Sequence, residues 1–249
     1  MTVWFVTGTD TGVGKTVVTA ALAAILSARG RDVAVVKPAQ TGVRAGEPGD
    51  VDEVRRLAGP VDVREGARLP DALAPDRAAL VAGVELPGLR DQAGLILGAA
   101  GDRDDVLVEG AGGVTVNLGR GFGLLEIAGQ VRQAGPPAAW IVVARAGLGT
   151  LNHSTLTVRA IQHRGFAVAG IVIGSWPADP GPAERYNRES DLAAQAGVPV
   201  LGAVPEGAAA LAPTDFRARA AGWIALGLVP ARASQRRRCR NDGYVRIWQ

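Results

Sequence analysis

A chain of 249 residues, 47% of them hydrophobic, can bury one sizeable core, which excludes a disordered protein and a small disulfide scaffold. The formal net charge is +3, yet residues 231–249 hold six arginines against the single acid Asp242, a balance of +5, leaving residues 1–230 at −2. The body is therefore no basic nucleic-acid binder, and neither nucleic acid nor membrane is an expected partner.

The lone cysteine, Cys239, permits no intrachain disulfide. The first residues show no basic stretch ahead of an apolar one, and no apolar run reaches the ~20 residues of a membrane span. The expectation is a cytoplasmic protein with one domain over residues 1–230 and a basic, disordered tail over 231–249.

In chain order, residues 3–7 form a β-branched run that reads as a buried strand, followed by Gly8-Thr9-Asp10-Thr11-Gly12-Val13-Gly14-Lys15-Thr16 and a helical period over 15–29. This is a phosphate loop one residue longer than the usual spacing. Its glycines let successive N–H groups point at phosphate oxygens, and the helix start adds its positive dipole end. Lys15 suits the β- and γ-phosphates, and the Thr16 hydroxyl suits Mg²⁺. The chain uses lysine only twice, at Lys15 and Lys37, and otherwise relies on arginine for its cations. A compact ammonium on a flexible stem fits a phosphate cradle better than a planar guanidinium.

A second strand, over 33–37, delivers Lys37 at its tip, where Pro38 is expected to stop the strand. Asp50 then precedes a short helix over 51–58, as an N-cap or as a carboxylate for the site. A helix over 90–100 leads to a strand over 106–109 that ends on Glu109, before the close-approach glycines of Gly110-Ala111-Gly112-Gly113. A carboxylate at a strand tip beside a phosphate loop is a common Mg²⁺ ligand. The stretch over 119–123 reads only as a turn.

The remaining elements are strands over 139–144, 168–173 and 198–204, with helices over 150–164 and 182–196. His153 and His163 have no third metal ligand nearby, and no Ser/His/Asp constellation is evident. Strand–helix alternation predicts an α/β fold: a single-domain, doubly wound, mostly parallel sheet with helices on both faces, of the P-loop NTPase kind. Ligands of such sheets bind at the carboxyl ends of the strands.

Residues 8–16, Lys37-Pro38-Ala39-Gln40-Thr41-Gly42, Val108-Glu109-Gly110-Ala111-Gly112-Gly113 and Gly149-Thr150-Leu151-Asn152-His153 together resemble the dethiobiotin synthetase family, over roughly residues 2–228. The resemblance implies a homodimeric, Mg²⁺-dependent ligase of biotin synthesis. It would convert 7,8-diaminononanoate, CO₂ and ATP into dethiobiotin, ADP and phosphate, through a carbamate and a carbamic–phosphoric anhydride.

The same resemblance implies the site residues. Lys37 and Lys15 are the catalytic cations, and Thr16, Asp50 and Glu109 hold Mg²⁺. Gly12, Val13, Gly14, Lys15, Thr16 and Val17 bind the nucleotide together with Asp50, Glu109, Gly110, Ala111 and Gly112. Gly174, Ser175, Val204, Pro205 and Glu206 lie toward the base, with Gly174 where adenine-reading relatives often carry Asn, so other triphosphates than ATP are compatible. Thr11 and Thr41 face the substrate. Gly149, Thr150, Leu151 and Asn152 meet its carboxylate from the partner subunit. A partition- or septum-site-type switch ATPase shares this fold, but its extra early lysine is replaced here by Thr9 and Asp10. An amidotransferase-type synthetase needs a glutaminase cysteine, which Cys239 does not supply.

Overall fold

In a computed structural model, which describes residues 1–101 and 103–226, the chain opens with β1 (Thr2–Gly8) and α1 (Lys15–Ala28). Then follow β2 (Val33–Thr41), α2 (Asp50–Ala58), β3 (Asp62–Leu69), α3 (Pro75–Ala82), α4 (Leu89–Ala100) and β4 (Asp105–Gly113). A two-stranded antiparallel hairpin, β5 (Asn117–Gly119) with β6 (Phe122–Gly123), precedes α5 (Leu124–Gln133) and β7 (Ala138–Ala144). The last elements are α6 (Thr150–His163), β8 (Ala167–Trp176), α7 (Pro182–Tyr186), α8 (Leu192–Ala196), β9 (Val200–Pro205) and α9 (Pro213–Trp223). Seven strands pair in the order β3-β2-β4-β1-β7-β8-β9, every pair parallel.

The two-residue period of β1 divides its side chains between two cores. Val3 and Phe5 pack with residues of α4, α5 and α6, such as Ile96, Ile127 and Val158. Trp4 and Val6 pack on the other face with α1, α2 and α9, including Leu22, Leu57 and Phe216. Both faces are covered, which is why the central strands are nearly unbroken apolar runs.

The expected fold class is what forms, with four departures. Pro38 does not end β2: the strand continues to Thr41 and pairs Ala39, Gln40 and Thr41 with β3. Its pairing with β4 stops at Val36↔Val108, so the proline lies where the strand has one neighbour and needs no donor on the other side. β3 went unread because Asp62–Leu69 is a polar, half-buried edge strand without an apolar run. α3, α5 and α9 were also unread. The helix expected over 182–196 is interrupted by a π-turn at Asn187–Asp191, where buried Asn187 donates to the Ala146 carbonyl at 2.8 Å.

The expectation for residues 231–249 falls outside the described residues. Among the described residues, no helix is long and apolar enough to cross a membrane.

Candidate active site

The parallel register brings the chemistry together. β1 and β2 flank β4, with Val6 opposite Glu109 and Val36 opposite Val108, so Lys37 and Glu109 sit side by side midway along β2 and β4, just past the last paired residues of those two strands, rather than at the strand tips expected. Lys37 Nζ lies 2.8 Å from Glu109 Oε1, 3.1 Å from the Gly110 carbonyl and 2.5 Å from Asp50 Oδ2. Thr16 Oγ1 donates to the same Glu109 Oε1 at 3.0 Å. Lys37 is 3% and Glu109 1% exposed, so these charges interact with little solvent screening. Asp50 is the first residue of α2, with Gly49 as the N-cap, so the N-cap reading of Asp50 is corrected.

The phosphate loop joins β1 to α1 through Gly14, whose φ of 93° is left-handed and favours glycine. Lys15 Nζ donates to the Asp10 carbonyl at 3.0 Å, while the Asp10 carboxylate accepts from the Thr11 N–H and from Arg145, each at 2.7 Å. Asp10 was expected only as a member of the loop, not as the residue that braces it, and Arg145 was not expected at all. A cavity of about 760 Å³ opens above the loop. Of the expected residues, Thr11, Gly12, Gly14, Lys15, Thr16, Val17, Lys37, Thr41, Asp50, Glu109, Ala111 and Gly112 line it. Gln40, Leu73, Pro75 and Val116 line it without having been anticipated.

Val13 and Gly110 lie in the chain between residues that line this cavity, and the remaining expected residues are not part of its lining. A Cβ on Gly174 would lie 2.0 Å from the Val13 carbonyl oxygen, and Gly174 packs behind the loop within β8. Val204 is wholly buried in the core and offers no accessible surface to a ligand. Ser175 is exposed, and the Glu206 N–H donates to the Trp176 carbonyl at 2.8 Å, joining the ends of β8 and β9. Gly149 to Asn152 start α6: Gly149 is a left-handed N-cap, Thr150 is buried, and Asn152 is exposed with no side-chain cap.

Charge environment separates the two lysines. Burial alone would depress the Lys37 pKa, but the Glu109 and Asp50 carboxylates outweigh it and hold the ammonium above its ordinary value. Burial likewise opposes ionisation of Asp50, and Lys37 reverses this to hold the carboxyl below its usual range. Lys15 moves the other way: burial, reinforced by the charge of Lys37, lowers its pKa against the pull of Glu109, Asp50 and Asp10. A charged Lys15 is thus a cost to the nucleotide-free fold, present at neutral pH and relieved as pH rises toward the ordinary lysine value. Lys15→Met is expected to stabilise the nucleotide-free protein by about 1 kcal/mol, or roughly 2–4 °C in Tm, while removing the further stabilisation by nucleotide. Thermal melts with and without MgADP measure both; an unchanged or lowered nucleotide-free Tm contradicts this account.

The donor set fits a hard divalent cation. Glu109 Oε2 is buried without a hydrogen-bond partner, beside the Thr16 hydroxyl and across Lys37 from the Asp50 carboxylate.

A parallel sheet whose central strand runs through a glycine-rich loop into a helix beginning Lys15-Thr16 defines a P-loop NTPase. A family model described as an AAA domain matches residues 2–214. The ATP-dependent dethiobiotin synthetase BioD of Rhodococcus jostii (strain RHA1) is 52% identical over 225 residues, covering 90% of this chain and 95% of the relative. That of Streptomyces coelicolor (strain ATCC BAA-471 / A3(2) / M145) is 49% identical over 226 residues, covering 90% and 92%. The chain belongs to the ATP-dependent dethiobiotin synthetase family. Among solved structures, a ParA family ATPase from Chlorobium tepidum TLS shares the fold with a TM-score of 0.56 and 12% identity, covering 88% of this chain and 90% of that one. The cell division ATPase MinD of Pyrococcus furiosus does so with a TM-score of 0.51 and 20% identity, covering 92% and 91%.

Proposed function

We propose that this chain closes the ureido ring of dethiobiotin from 7,8-diaminononanoate, CO₂ and ATP, with residues 1–230 as the catalytic unit in the cytoplasm. The observation that carries the reading is the buried Lys37 ammonium beside the phosphate loop, between Glu109 and Asp50. A nucleotide switch of the same fold has no evident use for a cation there, whereas a carbamate receiving a phosphoryl group does.

One substrate amine attacks CO₂ and loses a proton, giving a carbamate. A carbamate oxygen attacks the γ-phosphorus as the bond to the ADP oxygen breaks, giving the mixed anhydride and ADP. The second amine attacks the anhydride carbonyl carbon, its C–O bond to phosphate breaks, a proton is lost, and the ring is closed. Such a transfer asks the protein for positioning and charge neutralisation rather than for a nucleophile.

Lys15, now on the Asp10 carbonyl, would turn from it to the β- and γ-phosphates. Lys37 leaves Asp50 for the carbamate and the transferring phosphoryl group, stabilising charge as it moves. Thr16, Asp50 and Glu109 would hold Mg²⁺, which supplies charge neutralisation on the β- and γ-phosphate oxygens. Thr11 and Thr41 offer hydroxyls to the carbamate end, and Leu73, Pro75 and Val116 offer apolar surface to the carbon chain. The N-terminus of α6, at Gly149 to Asn152, receives the substrate carboxylate of a partner subunit. Exposed Leu148 and Leu156, 87% and 57% accessible, support a subunit contact there.

Phosphate release from MgATP in bicarbonate is expected to depend on 7,8-diaminononanoate. Repeating it with CTP and GTP ranks the triphosphates. Release that ignores the diamine, or none in any condition, sinks the synthetase reading.

A further inference from the structure

The start of α2 lacks a cap of its own, although it carries the candidate metal carboxylate Asp50. Gly49 is extended and has no side chain to offer the first turn. A Cβ there would lie 3.0 Å from Arg68 Nη2 and Glu65 Oε2 and 3.1 Å from Gln40 Oε1, so a Ser, Asp or Asn cap would crowd the groups already present. The acceptor comes instead from the neighbouring strand. Gln40, in β2 and 4% exposed, accepts the Asp50 N–H on Oε1 at 2.9 Å and donates from Nε2 to the Thr41 carbonyl at 3.1 Å. One amide thus ties the residue bearing the Asp50 carboxylate to the strand bearing Lys37 and Thr41.

The surroundings explain why an uncharged acceptor stands at this place. Glu65 is paired with Arg68 at 2.6 Å and 2.9 Å, and Asp52 takes the Gly49 N–H at 2.8 Å. The acids at the rim of the helix start already have partners, Arg68 lying also 3.7 Å from Asp52, and an amide adds an acceptor there without a further negative charge that would need one. Helix N-caps fix the angle at which the first residues leave the chain, and partners one step removed from a metal ligand fix its aim.

We propose that Gln40 is a positioning residue, which aims the Asp50 carboxylate at the metal–nucleotide complex by capping α2 from β2. The proposal rests on the reading of Asp50 as a metal ligand, and its test separates the two.

The test measures Mn²⁺ binding in the presence of ADP, from the paramagnetic resonance signal of free Mn²⁺, and ADP binding without metal by calorimetry. Gln40→Met, which keeps the bulk and loses the acceptor, is expected to weaken Mn²⁺ about tenfold and leave metal-free ADP binding unchanged. Gln40→Glu keeps the acceptor for Asp50, loses the donor to Thr41 and adds a negative charge, which itself favours a cation; it is expected to bind Mn²⁺ no more weakly than the wild type. A purely structural role would lower Tm alike without this split. Undiminished Mn²⁺ binding by Gln40→Met overturns the proposal if Asp50→Asn is impaired. If Asp50→Asn is also unimpaired, the ligand assignment itself fails. Should Gln40→Met not fold, Gln40→Glu decides: weakening of tenfold overturns the proposal, because the bond to Asp50 is intact in that variant.

Discussion

Lys37→Gln is expected to lower kcat about 10³-fold while ADP and ATP bind within roughly threefold of wild type. The ammonium touches no part of the loop that cradles the phosphates; its partners are Glu109, Gly110 and Asp50. Single-turnover phosphate release and equilibrium nucleotide binding, measured on one preparation, test the split. Near-normal turnover removes Lys37 from the chemistry, and lost binding moves it into the nucleotide site. The variant also leaves Asp50 and Glu109 facing each other without their cation, which destabilises the metal-free protein by about 3 kcal/mol. In the wild type the Asp50 pKa is depressed, so its contribution to stability is present above the ordinary carboxylate value and lost as pH falls through the folded one. The Lys37 contribution, from a raised pKa, is full below the ordinary lysine value and lost at high pH. Removing Lys37 abolishes both, and Mg²⁺ then raises the Tm of the variant more than that of the wild type.

Gly174→Asn gives the second large effect, a general loss of nucleotide binding instead of a new preference for adenine. The side chain cannot extend toward a base, because its first carbon would lie 2.0 Å from the Val13 carbonyl oxygen and 2.7 Å from Val143 Cγ1. Gly14 meets the same obstacle from the other side, since a Cβ on it would lie 2.6 Å from the Gly174 carbonyl oxygen. Backbone has to move in the phosphate loop, at about 2 kcal/mol or roughly 30-fold in affinity for ATP, CTP and GTP alike. Titrating the three triphosphates against the variant decides; selective tightening of ATP would show that the loop yields and that position 174 reads the base.

The loop, the two lysines and Glu109 were legible because each follows an apolar run strong enough to be recognised as strand, although β2 and β4 continue beyond Lys37 and Glu109. Asp50 was ambiguous for a physical reason: Asp at a helix start is ordinarily a cap, and only Lys37 from another strand distinguishes its role. Gln40 was invisible because its acceptor serves a backbone N–H ten residues further on. Pro38 misled because a proline stops a central strand, and the sequence does not reveal that β2 has already parted from β4 at Val36. β3 was missed for its polarity, which is that of an edge strand.

The confinement of lysine to this site bears on amine chemistry. Neutral amines attack CO₂ and acylating electrophiles, and guanidinium groups, which stay protonated, do not, so the arginine-rich surface is inert to them. Of the two side-chain amines, Lys37 is held protonated by its carboxylates and shut from solvent, which keeps it from capturing CO₂ in competition with the diamine. Lys15, whose pKa is lowered by burial and by the charge of Lys37, is the amine less firmly held in its protonated form. A triphosphate in the loop would pair with that ammonium and so hold it, like Lys37, in the protonated form that does not react with CO₂.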